Sequence, residues 1–269
     1  MVLRKVAAFF ILDFLEELSY PLTFIWCCGR IFFRLVAFYY LGQLMGEATS
    51  PYLTVYGGSY FPFVMVGLAL ASFQDVALTS IARKIYFGMY SGTLEAMLVT
   101  PTSLPAIVFC SVLYQFFSAL LEILLYLGFS VWIFKISLAQ ANLPATAVLL
   151  ILALLAHLPL GIISAGFLLA FKRNDPVTAM LGQLSALLGG VYFPLQILPH
   201  WLGTVSLFLP FTHALEGLRQ AVLNGWGLRQ LSTQITILAA FAVVLLPLSL
   251  AVFAWAVRQA KRLGTLSQY

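Results

Sequence analysis

RKIYFGMYSGTLEAMLVTP, residues Arg83–Pro101, is a polar island between two oily runs. Upstream, Tyr60 to Ile81 is apolar and interrupted by Gln74 and Asp75. Downstream, Leu104 to Phe134 is interrupted by Gln115 and Glu122. Each run is long enough to cross a hydrocarbon core of ~30 Å. The island between them carries the basic pair Arg83 and Lys84, Gly88 and Gly92, the carboxylate Glu95 and Pro101. Leu94, Met97 and Leu98 follow each other at spacings of three and four, which places them on one face of a short helix. Gly92 is a permissible cap for that helix and Glu95 stands at its third position, a weak capping box. Pro101 and Pro105 separate it from the run that follows. A short amphipathic helix tied to two membrane-length runs is a lever, because a push on it moves both.

Composition sets the class. Of 269 residues, 62% are hydrophobic and 9% charged, and the mean hydropathy is +1.00. Soluble domains carry roughly a quarter charged residues, so this chain is a membrane protein. The net charge of +5 does not point to nucleic acid, since the basic residues are dispersed at the ends of apolar runs. Cys27, Cys28 and Cys110 all fall in apolar runs, where an odd count argues for small buried hydrophobes rather than a disulfide framework. His157, His200 and His213 share no ligand spacing, and no metal site is expected.

Taken in order, the chain is all-α and polytopic. Residues 1–20 mix Phe9, Phe10, Leu12, Phe14 and Leu15 with Asp13, Glu16 and Glu17. The charges exclude a signal peptide, and the pattern suits a helix lying in the membrane interface. The first span runs from Pro21 to about Tyr40 and carries Arg30 and Arg34, one turn apart on one face. At mid-bilayer each arginine costs roughly 2.5–3.5 kcal/mol. Two readings stand for them: structural pairing with Asp75 or Glu122, or a place on a transport path. The second span is about Tyr60 to Ile81, the third Leu104 to Phe134, the fourth Leu143 to Phe171 and the fifth Val177 to about Leu195. Residues 189–230 are apolar but punctuated by Pro194, Pro199 and Pro210, too broken for a spanning helix. Short re-entrant helices shielded by protein fit there. The last span is about Leu231 to Val257. With the amino terminus inside, inner segments hold nine basic residues and outer segments three. That asymmetry predicts six spans with both termini cytoplasmic in the cell inner (plasma) membrane.

Two ordered motifs are specific. GTLEAMLVTP (Gly92–Pro101) resembles the coupling segment of the type-2 ABC exporter permeases, G-T-L-E-x-L-L-x-T-P. Gly189 to Arg219 is similar to that family's outer signature, in which G-G-x-x-F-P, L-P and L-P-x-T-H-A-L-E-x-x-R follow in order. The resemblance covers nearly the whole chain and is closest to the small single-domain permeases of drug, lipid or glycolipid export. It implies a homodimer, or a pair with a related permease, bound to two copies of a separate cassette ATPase. ATP and Mg would sit on that partner, and the chain itself would bind no cofactor and catalyse nothing.

The residues agree on one point. A phosphate-binding loop needs lysine after glycine, whereas Lys5, Lys84, Lys135, Lys172 and Lys261 follow Arg, Arg, Phe, Phe and Ala. The resemblance implies that Gly92, Thr93, Leu94, Glu95, Met97, Leu98 and Pro101 couple to the ATPase, and Arg83 and Lys84 are expected at the rim of that contact. For Leu94, Met97 and Leu98 the other reading is burial among lipid headgroups. An outer gate would comprise Gly189, Gly190, Phe193, Pro194, Pro199, Pro210, His213, Glu216 and Arg219, with Glu216 and Arg219 spaced for a local ion pair. Arg30, Arg34, Asp75 and Glu122 are the candidate substrate path. Two other classes compete: an ion-coupled secondary transporter would need matching intramembrane carboxylates in both halves, and a membrane-embedded lipid-modifying enzyme would need clustered acids or histidines. Neither pattern is present in the sequence.

Overall fold

In the computed structural model, residues 10–11, 13–15, 17–45, 50–90, 104–171 and 176–262 are described. They form helices and connecting turns, with no strand among the described residues. Among the described residues, five helices are long and apolar enough to cross a membrane. They are α1 (Pro21–Met45), α2 (Tyr60–Tyr90), α3 (Leu104–Trp132), α4 (Leu143–Phe171) and α8 (Ser232–Arg262). Between α4 and α8 lie α5 (Pro176–Leu188), α6 (His200–Ser206) and α7 (Pro210–Leu223). Residues 10–11, 13–15 and 17–18 are helical, in keeping with the interface helix expected near the amino terminus.

The all-helical membrane class holds, but two boundaries differ from expectation. The fifth crossing segment is helical only over Pro176–Leu188, 13 residues, or ~20 Å at 1.5 Å per residue. It stops where Gly190 takes a φ of +84° and the Val191 amide donates to the Ala186 carbonyl over 3.2 Å, a left-handed helix end that glycine allows. The neighbouring Gly189 has no room for a side chain, since a Cβ there would lie 2.3 Å from the Phe211 ring. The second difference is that α2 does not end at Ile81. It continues to Tyr90, so Arg83 and Lys84 are the last turns of a spanning helix rather than part of a separate island.

Proline and asparagine explain several starts. Pro210 occupies the first turn of α7, where a missing amide hydrogen costs nothing. Asn142 accepts from the Ala145 amide over 3.1 Å and so caps α4. Pro159 and Pro247 lie inside α4 and α8, as spanning helices tolerate when neighbours cover the freed carbonyl.

Helix α2 is the axis of the bundle. Most of its apolar window, 78%, is buried, against 11% for α1 and 22% for α8. It packs against α4, α3, α7, α5 and α1, while α4 and α8 form the most extensive helix pair. Lipid is as apolar as leucine, so close backbone approach rather than hydrophobic transfer holds such helices together. Small residues supply it. A Cβ on Gly161 of α4 would sit 2.3 Å from the Ala77 carbonyl oxygen of α2, and one on Gly166 3.5 Å from Ala256 of α8.

This close approach is testable. Gly161→Val forces α2 and α4 apart and lowers stability by about 1–3 kcal/mol, read as thermal unfolding in detergent micelles. Gly182→Ala, whose new Cβ would meet only Leu78 at 3.9 Å, leaves the unfolding temperature unchanged or slightly raised.

Candidate functional site

Three polar clusters interrupt the bundle, one near each end of α2 and one between. At the Lys84 end, the amino-terminal helical segment is seated on α2 and α3. The Lys84 ammonium donates to Asp13 Oδ1 over 2.5 Å, with Asp13 only 4% exposed. Tyr114 of α3 donates its hydroxyl to Glu17. Phe10 sets its ring edge against Tyr114 and Phe117, with centroids 5.2 and 5.4 Å apart. Lys84 is therefore engaged within the chain and does not stand free for a partner. Arg83 is exposed and leans back to Thr79 Oγ1 over 3.4 Å. The other coupling candidates, Gly92, Thr93, Leu94, Glu95, Met97, Leu98 and Pro101, lie outside the described residues.

The middle cluster joins α1 to α3. Arg30 and Arg34 on α1 share a spacing of four with Glu122 and Tyr126 on α3, so the four side chains meet in two rungs. Arg30 Nη2 donates to Glu122 Oε1 over 2.8 Å, and Cys27 Sγ donates to the same oxygen over 3.3 Å. Arg34 Nη1 donates to the Tyr126 hydroxyl over 3.3 Å, and that hydroxyl shares a 3.3 Å bond with Ser72 of α2. The pairing expected for the arginines is thus real for Arg30 and Glu122. Arg34 reaches no carboxylate among the described residues. Asp75 stands exposed on α2, in no ion pair among the described residues. The structure does not place it on Arg30 or Arg34.

At the other end, Arg219 of α7 is buried to 2% exposure. Its Nη2 donates to the carbonyls of Gly190 and Val191 over 2.8 and 3.2 Å, and its Nε to Phe63 of α2 over 3.2 Å. The guanidinium carbon lies 3.4 Å from the Phe63 ring centroid and 5.7 Å from that of Tyr56. Burial pulls its pKa down to about 9, against the opposing pull of Tyr56, Glu216 and Tyr60, so the cation persists at neutral pH. Gly67 makes room for it, since a Cβ there would lie 3.1 Å from Nη2.

The expected local pair of Glu216 with Arg219 does not form. Glu216 is engaged instead by Tyr56, which donates to Oε2 over 2.6 Å, and by Gln220, which donates to Oε1 over 3.0 Å. Asn224 extends this chain to Gln220 and to the Val55 carbonyl, both over 2.6 Å. Burial, then the Glu216 carboxylate, push the Tyr56 phenol well above its usual range and keep it a donor. Pro194 is buried and Phe193 half-buried, Pro199 precedes α6 at its exposed start, and His213 meets the Leu207 carbonyl over 2.9 Å. Tyr192 joins the segment to two spans, stacking on Phe38 of α1 at 5.6 Å and accepting at its carbonyl from Tyr60 over 3.0 Å.

The family model for ABC-2 family transporter proteins matches residues 30–251, which contain Arg30, Arg34, Lys84, Glu122, Tyr126 and Arg219, while Asp13, Glu17 and Cys27 precede the match. The chain belongs to the ABC-2 transporter family. No curated protein matches it. As an ABC-2 membrane domain it is a transport subunit, embedded by several helices. Sequence reading missed Asp13, Ser72, Tyr126, Tyr56 and Tyr192. One signal was available: Glu122 and Tyr126 repeat the spacing of Arg30 and Arg34. The others are two tyrosines, a serine and a short acid whose partners are set by how the helices turn toward one another.

Removing the buried cation strands three carbonyls away from water. Arg219→Met is expected to cost about 3 kcal/mol and to open residues 189–199 to proteolysis in detergent. Tyr56→Phe, which leaves Glu216 its bond from Gln220, costs about 1 kcal/mol and does not open that segment.

Proposed function

We propose that this chain is the permease subunit of an ABC exporter, moving a lipid-like, drug-like or glycan substrate out of the cytoplasm or inner leaflet of the plasma membrane. A separate cassette ATPase, in two copies, supplies the force and carries the ATP and Mg. The permease pairs with itself or with a related permease, with both termini and the Lys84 end in the cytoplasm. The charge asymmetry of nine basic residues against three supports that orientation.

One observation carries the mechanism. Helix α2 runs without a break from the Arg219 cluster to Lys84. From Phe63, whose carbonyl binds Arg219, to Lys84, whose ammonium binds Asp13, the helix measures roughly 32 Å at 1.5 Å per residue. GTLEAMLVTP joins this rod to α3 at the Lys84 end. Gly92, Thr93, Leu94, Glu95, Met97, Leu98 and Pro101 form the contact with the ATPase, with Arg83 at its rim. Lys84 serves from behind by holding the amino-terminal helix to the rod. Closure of the ATPase pair tilts α2 and α3, and the tilt reaches the segment held by Gly189, Gly190, Phe193, Pro194, Pro199, Pro210, His213, Glu216 and Arg219, which acts as the exit lid. Arg30, Arg34, Asp75 and Glu122 flank the path between subunits.

Glu95 is the lever's charged contact. With the partner ATPase co-expressed and purified through a tag on the permease, Glu95→Arg is expected to lower the co-purified ATPase at least tenfold, with membrane insertion unchanged. Undiminished co-purification and undiminished export would refute the coupling role.

A further inference from the structure

Arg34 is the charge that the bundle leaves unbalanced. Along α1 it lies 13 residues from Pro21 and 11 from Met45, or roughly 20 and 17 Å from the two ends. Ser72 lies 12 residues into α2 from Tyr60, roughly 18 Å, whereas Tyr126 lies six residues before the end of α3, roughly 9 Å. Inside a spanning helix an uncompensated arginine is costly. One turn away, Arg30 is neutralised by Glu122 at 2.8 Å. Among the described residues Arg34 meets the Tyr126 hydroxyl, an uncharged partner, and no carboxylate, and Arg34 is exposed. Two arginines and one carboxylate leave one net positive charge on this flank of α1.

The charge is held in place rather than loose. Tyr126 is buried to 1% exposure and its hydroxyl is braced by the buried Ser72. That brace spends one of five guanidinium donors, and no other acceptor is bound by the guanidinium among the described residues. One turn further along α1, Phe38 stacks on Tyr192, so an apolar aromatic surface adjoins the cation. A charged head beside an apolar wall is the shape of an amphiphile's binding site.

We propose that Arg34, braced by Tyr126 and Ser72, binds the phosphate or carboxylate of an anionic amphiphile within the membrane, whose apolar body lies along α1 toward Phe38 and Tyr192. Arg30 and Glu122 screen the neighbouring turn without binding the ligand. The assignment deepens the exporter reading by naming a substrate class, an acidic lipid or lipid-like molecule. The binding itself requires no ATPase.

The test uses the full chain alone in nanodiscs of phosphatidylcholine doped with spin-labelled phosphatidylglycerol or spin-labelled phosphatidylcholine. The wild-type chain is expected to immobilise the anionic label about tenfold more strongly than the zwitterionic one. Arg34→Gln abolishes that preference, Arg34→Lys retains part of it, and Tyr126→Phe weakens it with the charge intact. Arg258→Gln, which removes an exposed cation of α8, preserves it. Spin-labelled fatty acid in place of phosphatidylglycerol separates a carboxylate from a phosphate preference. Equal immobilisation of anionic and zwitterionic labels by the wild type overturns the proposal, as does a preference that survives both Arg34→Gln and Tyr126→Phe. The proposal also fails if Arg34→Gln turns a dimer into monomers and Asp75→Arg with Arg34→Asp restores the dimer, because the anion is then Asp75 of a second copy. Failure of ATPase co-purification with the lipid preference intact would instead count against the exporter reading alone.

Discussion

A buried guanidinium holds the irregular part of this molecule together. Residues 189–199 leave helical geometry inside a bundle that the membrane deprives of water, so their carbonyls need donors from within. Arg219 supplies them, binding Gly190, Val191 and Phe63 at once. A guanidinium suits this because its donors form a flat fork and its weak hydration lowers the cost of burial. The Phe63 ring at 3.4 Å shares the charge. No carboxylate touches the cation among the described residues, and Glu216 is kept for Tyr56 and Gln220. Giving the two different partners lets one helix, α7, bind both a broken backbone and a polar loop.

The rest of the bundle is arranged on that joint through α2. Its carbonyl at Phe63 and its glycine at position 67 accept Arg219 and the returning chain, and further along the same helix Ala77 touches Gly161 of α4 backbone to backbone. Small residues at each contact make α2 the most enclosed spanning helix. Its far end is tied again, by the ion pair of Lys84 with the nearly buried Asp13. A single helix thus joins the proline-broken segment to the amino-terminal helix without an intervening hinge.

Helix α1 is the contrast. It is scarcely enclosed, yet carries two arginines. The pair is treated unequally: Arg30 meets a carboxylate and Arg34 a phenol. An ion pair at depth is tolerable because each charge cancels the other's desolvation in part. A lone cation braced by neutral hydroxyls remains attractive to any anion that comes within reach.

Hydropathy is a property of successive residues, and it was enough to read the membrane class, the long helices and the break at Pro194, Pro199 and Pro210 from the chain alone. The ordered residues from Gly189 to Arg219 marked that segment as special, and the lack of lysine after glycine removed a phosphate-binding loop. What the chain could not reveal was orientation about each helix axis. Arg30 and Glu122 are 92 residues apart, and Lys84 and Asp13 are 71 apart. Which of several acids each cation meets depends on how α1, α2 and α3 are rotated and how closely glycine lets them approach. The same holds for Glu216 and Arg219, whose spacing suggested a pair that the packing of α7 against Phe63 and Tyr56 drew apart. Local pattern decided which segments enter the membrane; helix rotation and close backbone contact alone decided which polar groups meet there.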